Sequence, residues 1–195
     1  MVTVKIILGT TRPNRFGPQI ADWLQNVAKE NQPADVAFEF VDLADVNLPL
    51  LDEPMPPSLG NYANAHTKAW AKIVGSADGF VFITPEYNYT TSAALMNALD
   101  TVSAEWNFKP AAFVSYGAGA GGARAVLNLR TICGVLSIFD LRDEINIPYF
   151  QQLGKDGKFQ PTDAQNESAK KLLASVGTWA EAFKPIREQK QAAAK

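Results

Sequence analysis

Short apolar runs that stop at a glycine or proline alternate with stretches spaced for helices, and this alternation leaves few folds open to the chain. Val2 to Leu8 is a β-branched run that stops at Gly9 and reads as a buried strand. Gly17-Pro18 opens a segment that lines up Ile20, Trp23, Leu24 and Val27. Proline suits a first helical turn, where its missing N–H is not needed. VAFEFVDL, from Val36, alternates as a second strand. A helix carrying His66, Trp70, Ile73 and Val74 leads into the apolar run Gly79 to Thr84, which Pro85 ends. Ser92 to Val102 aligns Leu95, Leu99 and Val102 as a helix, and AAFVSYG follows as a fourth strand. The next helix carries Val126, Leu129, Ile132 and Cys133, and a fifth strand falls somewhere within Leu136 to Ile147. Thr162 with Gln165 forms a capping-box pattern before a last helix striped by Ala169, Leu172, Leu173, Val176, Ala180 and Phe183. Strand then helix, repeated to the end, predicts an α/β fold: a doubly wound, five-stranded parallel sheet with helices on both faces.

One domain over residues 1–185 accounts for this pattern, with 186–195 as a C-terminal tail whose QKQAAAK reads as a frayed helix end or a disordered stretch. Pro49, Pro54, Pro56 and Pro57 crowd the stretch from Ala44 to Leu59, which reads as an irregular surface excursion. A net charge of -2 offers no basic field for a phosphate backbone, so nucleic acid is not an expected partner. No run approaches the ~20 apolar residues that span a bilayer, and no membrane association is expected. Cys133 is the only cysteine, so no disulfide forms within the chain, and a reducing, cytoplasmic setting fits. His66 is the only histidine. Metal sites built from Cys and His clusters therefore lack ligands, and no metal is expected.

In open α/β sheets, ligands bind beyond the carboxyl ends of the strands, where the strand order reverses. Three strand ends carry unusual residues. After the first, GTTRPNRFGP offers the hydroxyls of Thr10 and Thr11, the charges of Arg12 and Arg15, and a helix N-terminus behind Gly17. Such a loop is suited to a phosphate. It is not a Walker A loop, because no Lys-Ser or Lys-Thr follows Gly17. The alternative is a plain solvated loop. After the third strand, Pro85-Glu86-Tyr87-Asn88 places an aromatic face with a polar tip over the sheet edge, or else makes a tight connection with an ordinary surface tyrosine. After the fourth, GAGAGG from Gly117 to Gly122 matches G-x-G-x-x-G, with Asp140 downstream. It is open to three readings: a dinucleotide site, a glycine turn for close helix packing, or, with Ser115, Tyr116 and Gly117, a second wall of a ring site.

Taken together, GTTRPNRFG, PEYN with Leu95 to Asp100 downstream, Lys109-Pro110 and SYGAGAGG resemble the NAD(P)H-dependent FMN reductase family, which includes quinone, azo-dye and chromate reductases. The resemblance runs from Val2 to about Phe183. It implies a flavodoxin-like fold that binds FMN and uses NADPH or NADH as co-substrate. Electrons would pass by a ping-pong exchange to a quinone-like, flavin or other small acceptor. Thr10, Arg12, Arg15, Gly17, Pro18 and Gln19 match the FMN phosphate loop. Pro85, Glu86, Tyr87 and Asn88 match the segment along the isoalloxazine ring, and Ser115, Tyr116 and Gly117 the loop at its pyrimidine side. No catalytic side chain is implied, because the flavin carries the chemistry. A homodimer or homotetramer is implied as well. Thr10 stands where serine is usual, Ser92 where proline is usual, and Met96 where lysine is usual. Two other readings remain: a flavodoxin-type electron carrier, and a dinucleotide-binding dehydrogenase that uses the GAGAGG turn.

Overall fold

A computed structural model describes residues 1–148, 153 and 156–193. The strands are β1 (Val2–Leu8), β2 (Val36–Asp42), β3 (Gly79–Pro85), β4 (Pro110–Gly117) and β5 (Phe139–Pro148). The helices are α1 (Gly17–Glu30), α2 (Leu43–Val46), α3 (Ala65–Gly75), α4 (Ala93–Thr101), α5 (Ala123–Val135) and α6 (Asp163–Ala193). The five strands pair in the order β2-β1-β3-β4-β5, all parallel. The order reverses between β1 and β3, so the loops after those strands part there and leave a crevice.

Both faces of the sheet are covered. Ile20, Leu24 and Val27 of α1, with Leu172, Leu173 and Val176 of α6, pack on Val4, Ile6, Val81 and Val114. On the other face, Trp70 of α3, Leu95 and Leu99 of α4, and Leu129 and Cys133 of α5 pack on Ile7, Phe80, Phe82 and Phe113. That double covering explains the near-continuous apolar runs of β1, β3 and β4. β5 is an edge strand, and its half-buried Asp140 and Asp143 and exposed Arg142 and Glu144 break the apolar pattern that makes the inner strands easy to read. Trp106 is fully buried against Trp70, Phe80 and Phe82. Cys133 is buried too, and its thiol is pushed up to about 12 by burial first, then by Asp140.

The capping box forms as expected: Thr162 N donates to Gln165 Oε1 at 2.9 Å, and Gln165 N to Thr162 Oγ1 at 3.2 Å. The helix it starts does not stop at 185. α6 runs through Pro185 to Ala193, and Arg187 beyond the proline is buried, donating to the Asp78 carboxylate and to the Phe108 and Ala180 carbonyls. The proline-rich excursion is pinned rather than loose. Asn97 donates to the Pro49 carbonyl at 2.7 Å and accepts from Leu51 N at 2.9 Å. Glu53 accepts from Ala63 N and Asn64 N, and Asp52 pairs with His66 at 2.8 Å.

Candidate functional site

The site is built from the bottom of the crevice upward. Gly9 follows β1 and donates its N–H to the Ile83 carbonyl at 2.8 Å. A Cβ at Gly9 would fall 2.8 Å from Leu95 Cδ2, so only glycine lets the loop leave so close to α4. The Ser92 hydroxyl donates to the Gly9 carbonyl and accepts from Leu95 N at 3.1 Å, capping α4. That is a physical use for serine at this position.

The loop after β1 divides its polar groups into tied and open ones. Thr10 is fully buried, with its hydroxyl 3.2 Å from that of Tyr87. Arg15 donates to the Thr10 carbonyl and pairs with the Asp42 carboxylate at the end of β2. Arg12 is exposed and makes no ion pair among the described residues. Phe16 precedes α1 without a side-chain cap, and Gly17 and Pro18 form the first turn. Pro18 carries no N–H and Gln19 N donates to the Phe16 carbonyl at 3.1 Å, which leaves the Gly17 amide of the first turn for an acceptor from outside. A Cβ at Gly17 would meet the Tyr116 hydroxyl and Leu8 Cδ1, each at 2.7 Å. This close approach joins the first loop to the end of β4. Gln19 turns elsewhere: its side-chain oxygen accepts from Phe159 N at 2.7 Å.

The segment after β3 is a tight reversal. Tyr87 N donates to the Thr90 carbonyl at 2.9 Å, and Thr90 N returns the bond at 3.0 Å. Asn88 and Tyr89 both take positive φ, 50° and 67°, as a type I′ turn requires. Asparagine tolerates that region, whereas tyrosine rarely enters it. Tyr89 is held there by Arg124, whose guanidinium lies 3.8 Å from the ring centroid. Arg124 also holds Glu86, donating Nε to Oε1 at 2.6 Å, with its backbone N 3.2 Å from Oε2. Pro85 pairs with Tyr116 in the sheet, and Glu86 N donates to the Tyr116 carbonyl at 2.9 Å.

The end of β4 closes the cluster from below. Tyr116 is buried, its ring edge-on to Phe16 at 5.9 Å. Its hydroxyl is pushed well above the usual tyrosine range by burial, and further by Tyr87. A Cβ at Gly117 would lie 3.2 Å from Glu86 Cβ. The Ser115 hydroxyl points into the protein, 3.0 Å from the Gly121 carbonyl and 2.7 Å from Asn146 Oδ1. In the turn beyond, Gly122 has φ +93°, and a Cβ there would sit 2.6 Å from Ser115 Cβ; one at Gly121 would sit 2.9 Å from Ile147 N. These glycines let α5 close on β4 and β5. Gly119 alone of the turn's central positions faces open space. The turn lies away from the point where the strand order reverses, so close packing accounts for its glycines.

The fold thus gathers Thr10, Gly17, Tyr87 and Tyr116 around one point, with Arg15, Glu86 and Gly117 bracing them. Arg12, Pro18 and Asn88 stand at the rim, while the side chains of Gln19 and Ser115 serve other contacts. A cavity of about 470 Å³ opens beside the first loop, between Thr11, Leu43, Leu48, Ala93 and Asn97. Sequence reasoning passed over Asp42 and Arg124. The position of Asp42 directly before α2, where it accepts from Ala44 N at 2.9 Å, is a cap signal that could have drawn notice. Nothing local ties Arg124 to Glu86.

The family described as NADPH-dependent FMN reductase matches residues 2–176. An NAD(P)H-dependent FMN reductase of Schizosaccharomyces pombe is 42% identical over 137 residues, covering 69% of this chain and 67% of that protein. A probable NADPH:quinone oxidoreductase of Oryza sativa is 33% identical over 182 residues, covering 90% of both. Among solved structures, the flavoenzyme NAD(P)H:acceptor oxidoreductase FerB of Paracoccus denitrificans superposes with a TM-score of 0.71 at 21% identity, covering 94% of this chain and 99% of that one, a likeness of fold. Its parallel sheet, its crevice between β1 and β3 and the match along nearly its whole length place the chain in the NADPH-dependent FMN reductase family, as an FMN-dependent NAD(P)H oxidoreductase.

Proposed function

We propose that this enzyme reduces flat small-molecule acceptors of the quinone type, with NAD(P)H and acceptor occupying the same place in turn. The observation that carries this reading is the 3.2 Å contact between the Thr10 and Tyr87 hydroxyls, which joins an anion-binding loop to an aromatic turn. The residues present fit FMN. Arg12 and the Gly17 amide at the start of α1 supply donors for a phosphate, and the close approach of Gly17 to Tyr116 leaves backbone rather than side chain at the floor. When bound, FMN supplies the redox chemistry by accepting a hydride from the nicotinamide and passing electrons on.

The chain's own residues then bind and orient. Arg12 and the Gly17 amide would hold the phosphate, with Arg15 fixing the loop through Asp42 and the Thr10 carbonyl. Pro18 would set the first turn of α1 for this purpose, and Gln19 would support the phosphate loop by tethering the segment at Phe159. Tyr87, Asn88 and the backbone of the 85–88 turn would line the ring, and Tyr116 with Gly117 would brace its other side. Ser115 would act from within the sheet. The exposed rim leaves one face open to donor and acceptor alternately, and several flat oxidants would fit an open face. We further propose a homodimer or homotetramer acting in the cytoplasm. No helix among the described residues is long and apolar enough to cross a membrane.

The test is anaerobic. Purified protein loaded with FMN should bleach with NADPH or NADH and regain its colour on adding a benzoquinone. Initial rates at several quinone concentrations should give parallel double-reciprocal lines. Converging lines would replace alternation by a ternary complex. A flavin that neither nicotinamide bleaches would turn the reading toward an electron carrier.

A further inference from the structure

The Lys109-Pro110 pair lies at the opposite end of the sheet, and the flavin site does not use it. There Gly75, Glu105, Phe108, Lys109, Arg187 and Lys190 border a cavity of about 380 Å³. Lys109 is 4% exposed. Its ammonium donates to the Val74 carbonyl at 2.8 Å and lies 3.3 Å from that of Gly75, at the end of α3, and 5.6 Å from the Phe80 ring centroid. Among the described residues no carboxylate pairs with it. Arg187, equally buried, is held by Asp78 and by the Phe108 and Ala180 carbonyls. Lys190 is exposed, 5.8 Å from the Phe108 ring centroid, and makes no ion pair among the described residues. Among the described residues Glu105 is the only carboxylate on the lining, and it accepts from the Tyr62 hydroxyl at 2.7 Å.

We infer that this cavity is a second ligand site, one that takes an organic phosphate: a phosphate group toward Lys109, Arg187 and Lys190, and an apolar body against Phe108 and Ala104. Burying an ammonium without an opposite charge is costly, and a bound anion removes that cost. The lining is cationic in a chain whose formal net charge is -2, so the local field opposes the overall one. Burial, with Arg187 adding to it, pulls the lysine down to about 7; Asp78 and Glu105 act in the other direction, and Lys5 lowers it slightly further. A phosphate arriving beside it should therefore bring a proton onto Lys109. The α3 carbonyls hold the lysine in place and leave the opposite charge to be supplied from outside.

The probe is phenyl phosphate, titrated calorimetrically into the FMN-loaded protein at pH 8 so that the first loop is already filled. Inorganic phosphate and benzoate form the other arms. Phenyl phosphate should bind saturably, with proton uptake read from buffers of different ionisation heat. Lys190→Gln, on the surface, should weaken it about fivefold without releasing FMN. Lys109→Met should abolish the proton uptake. Arg12→Ala should leave phenyl phosphate affinity unchanged. Binding by inorganic phosphate equal to that of phenyl phosphate would overturn the organic body, and tighter binding of benzoate would overturn the phosphate. The absence of saturable binding, or binding untouched by Lys190→Gln but lost in Arg12→Ala, would overturn the site itself.

Discussion

The two ends of the sheet both collect cations, yet they treat them differently. At the carboxyl end Arg15 is tied to Asp42 while Arg12, three positions earlier, stands free beside an uncapped helix. At the amino end Lys109 and Arg187 are buried and held by carbonyls and Asp78. A tied cation fixes the backbone around it, whereas a free one is available to a ligand. The contrast separates residues whose loss should unfold the protein from residues whose loss should only release its cofactor.

The largest effect is expected from Arg187→Ala. It removes the cation paired with Asp78, which then keeps only the Thr3 amide, and the side-chain donor to the Phe108 and Ala180 carbonyls, at a cost of about 3 kcal/mol in urea unfolding. The variant that still folds should bind FMN normally. A loss of FMN affinity there would blur the distinction between the two ends. Arg12→Ala should do the converse. FMN binding, followed by flavin fluorescence, should weaken by about 1.5–3 kcal/mol, with the stability of the apoprotein changed by no more than about 0.5 kcal/mol.

The pH dependence of stability sharpens the comparison further. Lys109 falls to about 7 in the folded protein, against about 10.4 in an unfolded chain. Between those values the unfolded chain binds more protons, so stability rises with pH, and the burden is complete below 7. A gain on the order of 1 kcal/mol between pH 7.5 and 9.5 is expected, and Lys109→Met should flatten it. The smallest effect belongs to Ser92→Ala. Losing the cap of α4 should cost about 1 kcal/mol in unfolding while FMN affinity stays within about twofold. A larger loss of affinity would mean that the bond from Ser92 to the Gly9 carbonyl shapes the first loop itself.

Much of this architecture is legible along the chain. Val2 to Leu8, Gly79 to Thr84 and AAFVSYG stand out because both faces of an inner parallel strand are covered. β5 was visible only as a region, because an edge strand alternates charge with apolar residues. α6 runs on past Pro185 into the stretch expected as a tail, because the anchor that carries the chain past the proline, Arg187 on Asp78, comes from a distant part of the chain. In the site, the three strand ends were readable, while the distribution of side chains among them was not. Gln19 serves Phe159, 140 positions away. Glu86 is engaged by Arg124, 38 positions on, and so braces the turn from behind.

Periodicity and the placement of glycine and proline were sufficient by themselves for the order of elements, the doubly wound sheet and the loops that face the crevice, because these follow from local propensity and from which faces must be buried. Folding alone settled which arginine is free, which glycines serve packing, and which lysine is buried without a counter-charge. Those properties arise where residues far apart in the chain meet, and a short-range pattern holds no record of such meetings.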